Sequence, residues 1–194
     1  AQLLSRRVLD ADLRTYADII VAEVDRLSAL AGRLLGPAGR APVGAIHIHA
    51  VLERVRLLLA ADGANVERDY DPSLPDCVGD GDRLVQMFLN LGRNAVEAGA
   101  TRIVLRTRYE RDAALGEGRR AALRVEIIDD GAGVPDAVRS TLFLPLVSGR
   151  DGGTGLGLAT ANEIVAEHGG RIGFESRSGR TAFSIWLPVT AGSG

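Results

Sequence analysis

Gly153-Thr154-Gly155-Leu156-Gly157-Leu158, running into Ala159-Thr160-Ala161-Asn162-Glu163-Ile164-Val165-Ala166-Glu167, is the stretch from which the rest of the chain can be read. Three glycines on alternate positions leave backbone amides free to curl around phosphate oxygens. The run that follows has helical composition, so a helix N-terminus with its partial positive charge faces whatever anion the loop holds. Alone, such a loop is equally an ordinary flexible connection. The segments upstream decide between the two.

Residues 81–98 have the apolar period of a helix, with Leu84, Met87, Phe88, Leu91, Ala95 and Ala98 on one stripe. Asn90 and Asn94 lie four apart on its flank, so both amides point the same way. Asparagine is a middling helix former, and two in mid-helix need a reason. Either they bond neighbouring loops, or a neutral amide oxygen is offered to a hard cation such as Mg²⁺, which takes few protein ligands and completes its shell with phosphate and water. Further on, the apolar strand Leu123-Arg124-Val125-Glu126-Ile127-Ile128 closes on Asp129-Asp130-Gly131-Ala132-Gly133-Val134-Pro135. This is either a plain turn with surface carboxylates or a carboxylate on a pocket floor that accepts from a ring amino group such as adenine's, with glycines letting the ring approach.

Composition sets outer bounds. The 194 residues are 46% hydrophobic and carry a net charge of −2, enough chain for one good core and with no basic field for nucleic acid. Cys77 is the single cysteine, which excludes an internal disulfide and fits a reducing compartment. No apolar run reaches the ~18 residues that cross a bilayer, so this piece is expected to be cytoplasmic, without membrane contact.

Gly36-Pro37-Ala38-Gly39-Arg40-Ala41-Pro42-Val43-Gly44 divides the chain into residues 1–38 and 44–190. In the first part, Asp10 or Asp12 can cap a helix whose apolar positions Leu13, Ala17, Ile20, Val24, Leu27, Ala31 and Leu34 form a heptad seam. Either this helix packs on its own domain, or it pairs with another copy of the chain, which is the reading the seam favours. The second part reads as mixed α/β: a strand at 46–48, a helix at 49–61, a strand at 66–70, a helix at 81–98, strands at 101–109 and 122–129, a helix at 155–168, and strands at 171–177 and 181–187. Glu110 to Arg120 is expected to be a solvated hairpin loop. His47 and His49, two apart, are expected to share a strand face, and His168 to sit as a cation at a helix C-terminus.

Asn94, Asp129-x-Gly131-x-Gly133 and Gly153-x-Gly155-x-Gly157, in that order, resemble the N, G1 and G2 boxes of the GHKL ATPase superfamily. Phe143-Leu144-Pro145-Leu146 stands where histidine kinases carry an F box. The resemblance implies a Bergerat-type two-layer α/β sandwich, a mixed sheet with helices on one face, preceded by the remnant of a helical hairpin. It implies ATP and Mg²⁺ as cofactors, with Asn90 and Asn94 as the catalytic pair and Asn94 on the metal. Asp129, with Gly131 and Gly133, would take adenine; Gly153, Thr154, Gly155, Leu156 and Gly157 would take the phosphates. Residues 136–152 would be a lid hinged at Gly149, Gly152 and Gly153.

Within the superfamily, hydrolytic members carry a glutamate base where this chain has Asn90, so the resemblance implies phosphoryl transfer to another acceptor. Leu34-Leu35-Gly36-Pro37, Arg68-Asp69-Tyr70-Asp71-Pro72-Ser73-Leu74-Pro75, Thr141-Leu142-Phe143 and Val147-Ser148-Gly149-Arg150 are similar to nitrogen-regulation sensor kinases of the NtrB type. So is Ala1-Gln2-Leu3-Leu4-Ser5-Arg6, which in that family follows the phosphoacceptor box. No histidine here reads His-Glu before a proline, so the accepting histidine is expected upstream of residue 1. Glu97 stands where many kinases have a basic residue, leaving Arg93 and Arg150 as the candidates for the phosphates. The implied partners are a second copy through the N-terminal helices, a response regulator and a signal-transducing regulatory protein. A hydrolytic ATPase and a non-catalytic dimeric module are the rival readings.

Overall fold

Asp80 starts the helix around which the other elements are arranged. Its side chain accepts from the amides of Asp82 and Arg83 at 3.0 and 3.2 Å, filling two of the donors that a helix start leaves orphaned. The computed structural model describes residues 44–149 and 155–189. In chain order these form β1 (Gly44–Ile46), α1 (Ile48–Ala61), β2 (Val66–Asp69), β3 (Cys77–Gly79), α2 (Gly81–Glu97), β4 (Ile103–Leu115), β5 (Gly118–Asp129), a 3-10 turn at Asp136–Thr141, α3 (Gly157–Glu167), β6 (Arg171–Arg177) and β7 (Arg180–Pro188).

Five strands make a mixed sheet in the order β2-β4-β5-β7-β6, in which only β2 and β4 run parallel; β1 and β3 form a separate antiparallel pair. A parallel pair needs a crossover, and α2 supplies it between β2 and β4. The period of two in β5 sends Leu123, Val125, Ile127 and Asp129 to one face. Opposite them stand Thr107, Leu105 and Ile103 on β4 and Ile185, Phe183 and Thr181 on β7. Against this face pack Val51, Leu52, Val55 and Leu59 of α1, Leu84, Met87, Phe88 and Leu91 of α2, and Ile164 and Val165 of α3. The result is a two-layer α/β sandwich. The opposite face of the sheet is charged: Arg124 pairs with Glu110 and Glu126, Arg106 and Arg108 with Asp69, and Arg171 lies 3.9 Å from the Trp186 ring centroid. Among the described residues, no helix is long and apolar enough to cross a membrane.

Both long helices fall where the apolar period puts them. Three local expectations are corrected. Residues 110–120 are not a loop: β4 runs to Leu115 and β5 begins at Gly118, with a bulge between Glu110 and Ala113. The bulge breaks the polar alternation that would otherwise mark a strand, and Ala113 and Leu115 are buried beside Trp186. The chain turns helical at Ile48, so His47 caps α1 and His49 lies inside it, rather than the two sharing a strand. The short β3 was not foreseen, because three residues carry too little pattern. His168 is no cation: its Nε2 sits 3.0 Å from the amide of Asp80, a group that can only donate. The N-terminal seam lies outside the described residues.

His49 stacks on Tyr70 at 4.6 Å and its Nε2 lies 3.1 Å from the hydroxyl of Thr107. Burial and, second, the neighbouring His47 hold its pKa below the usual 6.5, against the opposing pull of Asp71 and Glu53. A lowered folded value means that the unfolded chain binds the proton more readily. Stability from this group is therefore complete above pH 6.5 and is lost as pH falls through the folded value. His49→Phe keeps the stack without the titration. Urea melts at pH 7.5 and 5.5 are expected to show a smaller drop for the variant than for wild type; equal drops would discard this assignment.

Candidate functional site

The helix α2 and its C-terminal cap present one row of positions, Asn90, Asn94 and Ala98, each a turn apart. At one end of the row, Asn90 Nδ2 donates to the carbonyl of Gly157 at 3.3 Å. At the other end, the amide of Ala132 donates to the carbonyl of Ala98 at 3.1 Å. Gly131 lies flat on the same residue, and a Cβ there would be 2.9 Å from Ala98 Cβ and 3.0 Å from Asp129 Oδ1. Asn94 thus stands one turn from each glycine segment, half-buried, with its side chain on the line that joins them. Three motifs far apart in sequence border one wall.

Asp129 and Asp130 are adjacent but do different things, and the strand period separates them. Asp129 continues the inward row of β5, is 4% exposed, and accepts from the Gly131 amide at 2.9 Å. Asp130 points the other way and is saturated by donors from the loop after α2: Thr101 N at 2.7 Å, Thr101 Oγ1 at 2.6 Å and Arg102 N at 2.9 Å. Those bonds hold the Asp130 carboxyl below the ordinary carboxylate range, the Thr101 hydroxyl contributing most. One aspartate fastens the loop; the other forms a floor on the helix side of the sheet.

The glycines after Asp129 are held by the β6–β7 hairpin. The Gly179 amide donates to Gly131 O at 3.1 Å, and the Val134 amide to Ser176 Oγ at 2.8 Å. Gly133 has φ +90°, and a Cβ on it would meet Arg177 O at 2.9 Å, so only glycine fits. Thr181 is a residue that motif reading missed. It is the β7 partner of Asp129, is 3% exposed, and shares a 2.9 Å hydrogen bond with Ser176. Its only signal in sequence is its place at the head of the inward row Thr181, Phe183, Ile185, Leu187, which is meaningless until the strand pairing is known.

On the third side is the start of α3. Its N-cap residue, Leu156, offers no side-chain cap, in contrast to Asp80 at α2, so among the described residues its first-turn amides remain open to an anion. Gly155 has φ +64° and is tied to the backbone at Leu146, its carbonyl accepting from the Leu146 amide at 3.0 Å. Leu156 and Gly157 follow, and Gly157 lies against Asn90, with 3.8 Å from its would-be Cβ to Asn90 Cβ. In the segment before Gly155, Phe143 packs edge-on to Phe174 at 6.0 Å, while Leu144 and Leu146 face outward. Leu146 adopts φ 64°, an unusual conformation for a leucine. Arg93 is drawn toward α1, 3.9 Å from Asp62. Arg150, Gly153 and Thr154 lie outside the described residues, as does the expected hinge at Gly152.

Residues 79–191 match the family described as histidine kinase-, DNA gyrase B-, and HSP90-like ATPase. The chain is 43% identical over 196 residues to the sensory histidine kinase/phosphatase NtrB of Escherichia coli O157:H7 and 45% identical over 200 residues to that of Rhodobacter capsulatus. Each alignment covers 97% of this chain and 56% of the relative, so the chain spans about half the length of the curated relatives it matches. Among solved structures, the catalytic domain of the histidine kinase ThkA aligns with TM-score 0.63 at 23% identity, over 76% of this chain and 96% of that one, a likeness of fold. Full-length ShkA in complex with AMPPNP aligns with TM-score 0.64 at 27% identity, over 98% of this chain and 42% of that one.

Proposed function

Because the chain belongs to the histidine kinase-, DNA gyrase B- and HSP90-like ATPase family, we propose that residues 44–190 are the ATP-binding catalytic unit of a two-component sensor kinase of the NtrB kind. The intact protein would pass the γ-phosphoryl group of ATP to a histidine and from there to an aspartate of a response regulator, in nitrogen regulation. Residues 1–38 would belong to the dimerising hairpin, and the protein would work in the cytoplasm as a homodimer. The single observation that carries this reading is the row Asn90, Asn94, Ala98, which meets Gly157 at one end and the Gly131-Ala132 turn at the other.

On that wall the roles divide by chemistry. The Asp129 carboxylate, with Thr181 beside it, would accept from the adenine amino group, and the bare backbone of Gly131 and Gly133 would let the ring lie close. The phosphates would run toward Leu156, Gly157 and the open amides of α3, continuous with Gly153, Thr154 and Gly155. The donor set suits Mg²⁺, since a single neutral amide oxygen at Asn94 beside a phosphate cradle leaves most of the shell to phosphate and water. When bound, that ion neutralises charge on the phosphates. Arg150 is the remaining candidate for the phosphates from the lid, because Arg93 reaches toward Asp62. Asn90 holds no lone pair basic enough to take a proton from water, and its amide already donates to Gly157. Transfer to an external acceptor therefore fits the site better than hydrolysis.

The test mixes this chain with γ-labelled ATP, with and without a separate helical fragment that carries a phosphoacceptor box. Acid-labile label on the fragment's histidine is the expected result. Steady release of inorganic phosphate without the fragment would select the hydrolase instead.

A further inference from the structure

The two helices that wall the site are joined at both ends. Near the start of α3, Asn90 holds Gly157. Near its end, Arg83 bridges to Glu167 at 2.9 Å, and His168, which follows the helix, reaches Asp80 at the cap of α2. The proton on His168 is assigned by its neighbours. Nδ1 is 2.7 Å from the carbonyl of Ile164 and must donate; Nε2 is 3.0 Å from the Asp80 amide and must accept. The ring also lies flush on the backbone of Gly79, where an added Cβ would overlap its Cδ2 and Nε2.

We propose that His168 is a positioning residue for the nucleotide site: a neutral pin between α3 and the cap of α2, whose protonation loosens α3 and weakens nucleotide binding. This rests on the nucleotide reading above. A second proton would go to Nε2, placing two donors face to face and leaving the Asp80 amide without its acceptor. A helix of 11 residues moves as a unit, so slack at its C-terminus reaches the amides at Gly157. The charged groups around this corner are Asp80, Asp82 and Arg83 at the start of α2, Arg54 on α1, Glu167 on α3 and Arg171 on β6. Asp80 is engaged by Asp82 N and Arg83 N, Asp82 by Arg54, Glu167 by Arg83, and Arg171 sits over Trp186. The acids attract a charged ring but cannot restore an acceptor at Nε2.

Calorimetric titration with Mg-ADP between about pH 8 and 5.5, the interval in which histidine changes charge, compares wild type with His168→Gln, whose amide oxygen accepts at every pH. Wild type is expected to lose about three- to tenfold more affinity than the variant across that interval, the weight of one hydrogen bond. Parallel losses would overturn the proposal. Nitrogen-15 spectra of the wild type read the pin without nucleotide: an Nδ1–H tautomer at high pH, with the Asp80 and Gly157 amides shifting together as the ring titrates, is the expected pattern. An Nε2–H tautomer, or a Gly157 amide that stays still while Asp80 moves, would also overturn it. If Mg-ADP binds neither protein at any pH, the nucleotide reading fails, and the coupled amide shift still decides whether the pin exists.

Discussion

Asp129→Asn is expected to abolish the thermal stabilisation that Mg-ADP gives the wild-type chain, while the free variant melts close to wild type. At a ligand concentration about a hundredfold above Kd, binding adds about 2.7 kcal/mol to the folded state. For a domain of this size that corresponds to a rise in Tm of roughly 5 to 10 °C. The substitution leaves an amide oxygen to accept from the Gly131 amide, a bond of 2.9 Å in the native protein. It turns the second oxygen into a donor, which then faces the donor on the purine. Losing a hydrogen bond to a charged acceptor costs about 1.5–3 kcal/mol, and the unmet donors add to that, so affinity falls by about a hundredfold or more. At the same ligand concentration the residual stabilisation is then about 0.4 kcal/mol or less, a degree or so of Tm. A variant that gains as many degrees as wild type would remove Asp129 from the site. Wild type that gains none at saturating Mg-ADP would remove the site itself.

Gly155→Ala is expected to be the next most damaging change, through the backbone. Gly155 has φ +64°, a region that costs an L-residue about 1–2 kcal/mol. A Cβ there would fall 2.6 Å from Leu146 C and from Val147 N and 2.7 Å from Val147 O, all of them main-chain atoms that cannot rotate aside. The backbone at 146–147 must retreat by some tenths of an ångström, and the bond from Leu146 N to Gly155 O opens. Because the disturbance is confined to residues 146–147 and the start of α3, the melting temperature without ligand falls by only a few degrees. Hydrogen exchange at Leu146 is expected to accelerate sharply, and the response to Mg-ADP to shrink to a minor fraction. Unchanged exchange at Leu146 with full ligand response would show that the segment at 146–147 does not rest on this glycine.

Much of the site was legible because its chemistry is local. The helix that carries Asn90 and Asn94 follows from an apolar period, and the spacing of four puts both amides on one line whatever the rest of the chain does. The choice of Asp129 over Asp130 comes from the resemblance to the G1 box, and the structure adds that Asp129 lies on the inward row with Val125 and Ile127. Where pattern was thin or broken, reading failed. The bulge between Glu110 and Ala113 disguised a strand as a solvated loop, and β3 was too short to carry a period. At Gly44–Ile46 and Ile48 a strand yields to a helix within two residues, closer than any periodicity can resolve.

The amino-acid sequence by itself determined the helices of residues 44–189 and the three boxes that mark the family. These depend on periods and spacings within a few turns of chain. Only the tertiary structure decided that Thr181 stands beside Asp129, that Arg93 reaches toward Asp62, and that His168 is an acceptor and not a cation. Each of these rests on a contact between segments dozens of residues apart, and the charge or hydrogen-bonding role of a side chain is set by the group it faces, which no local pattern encodes.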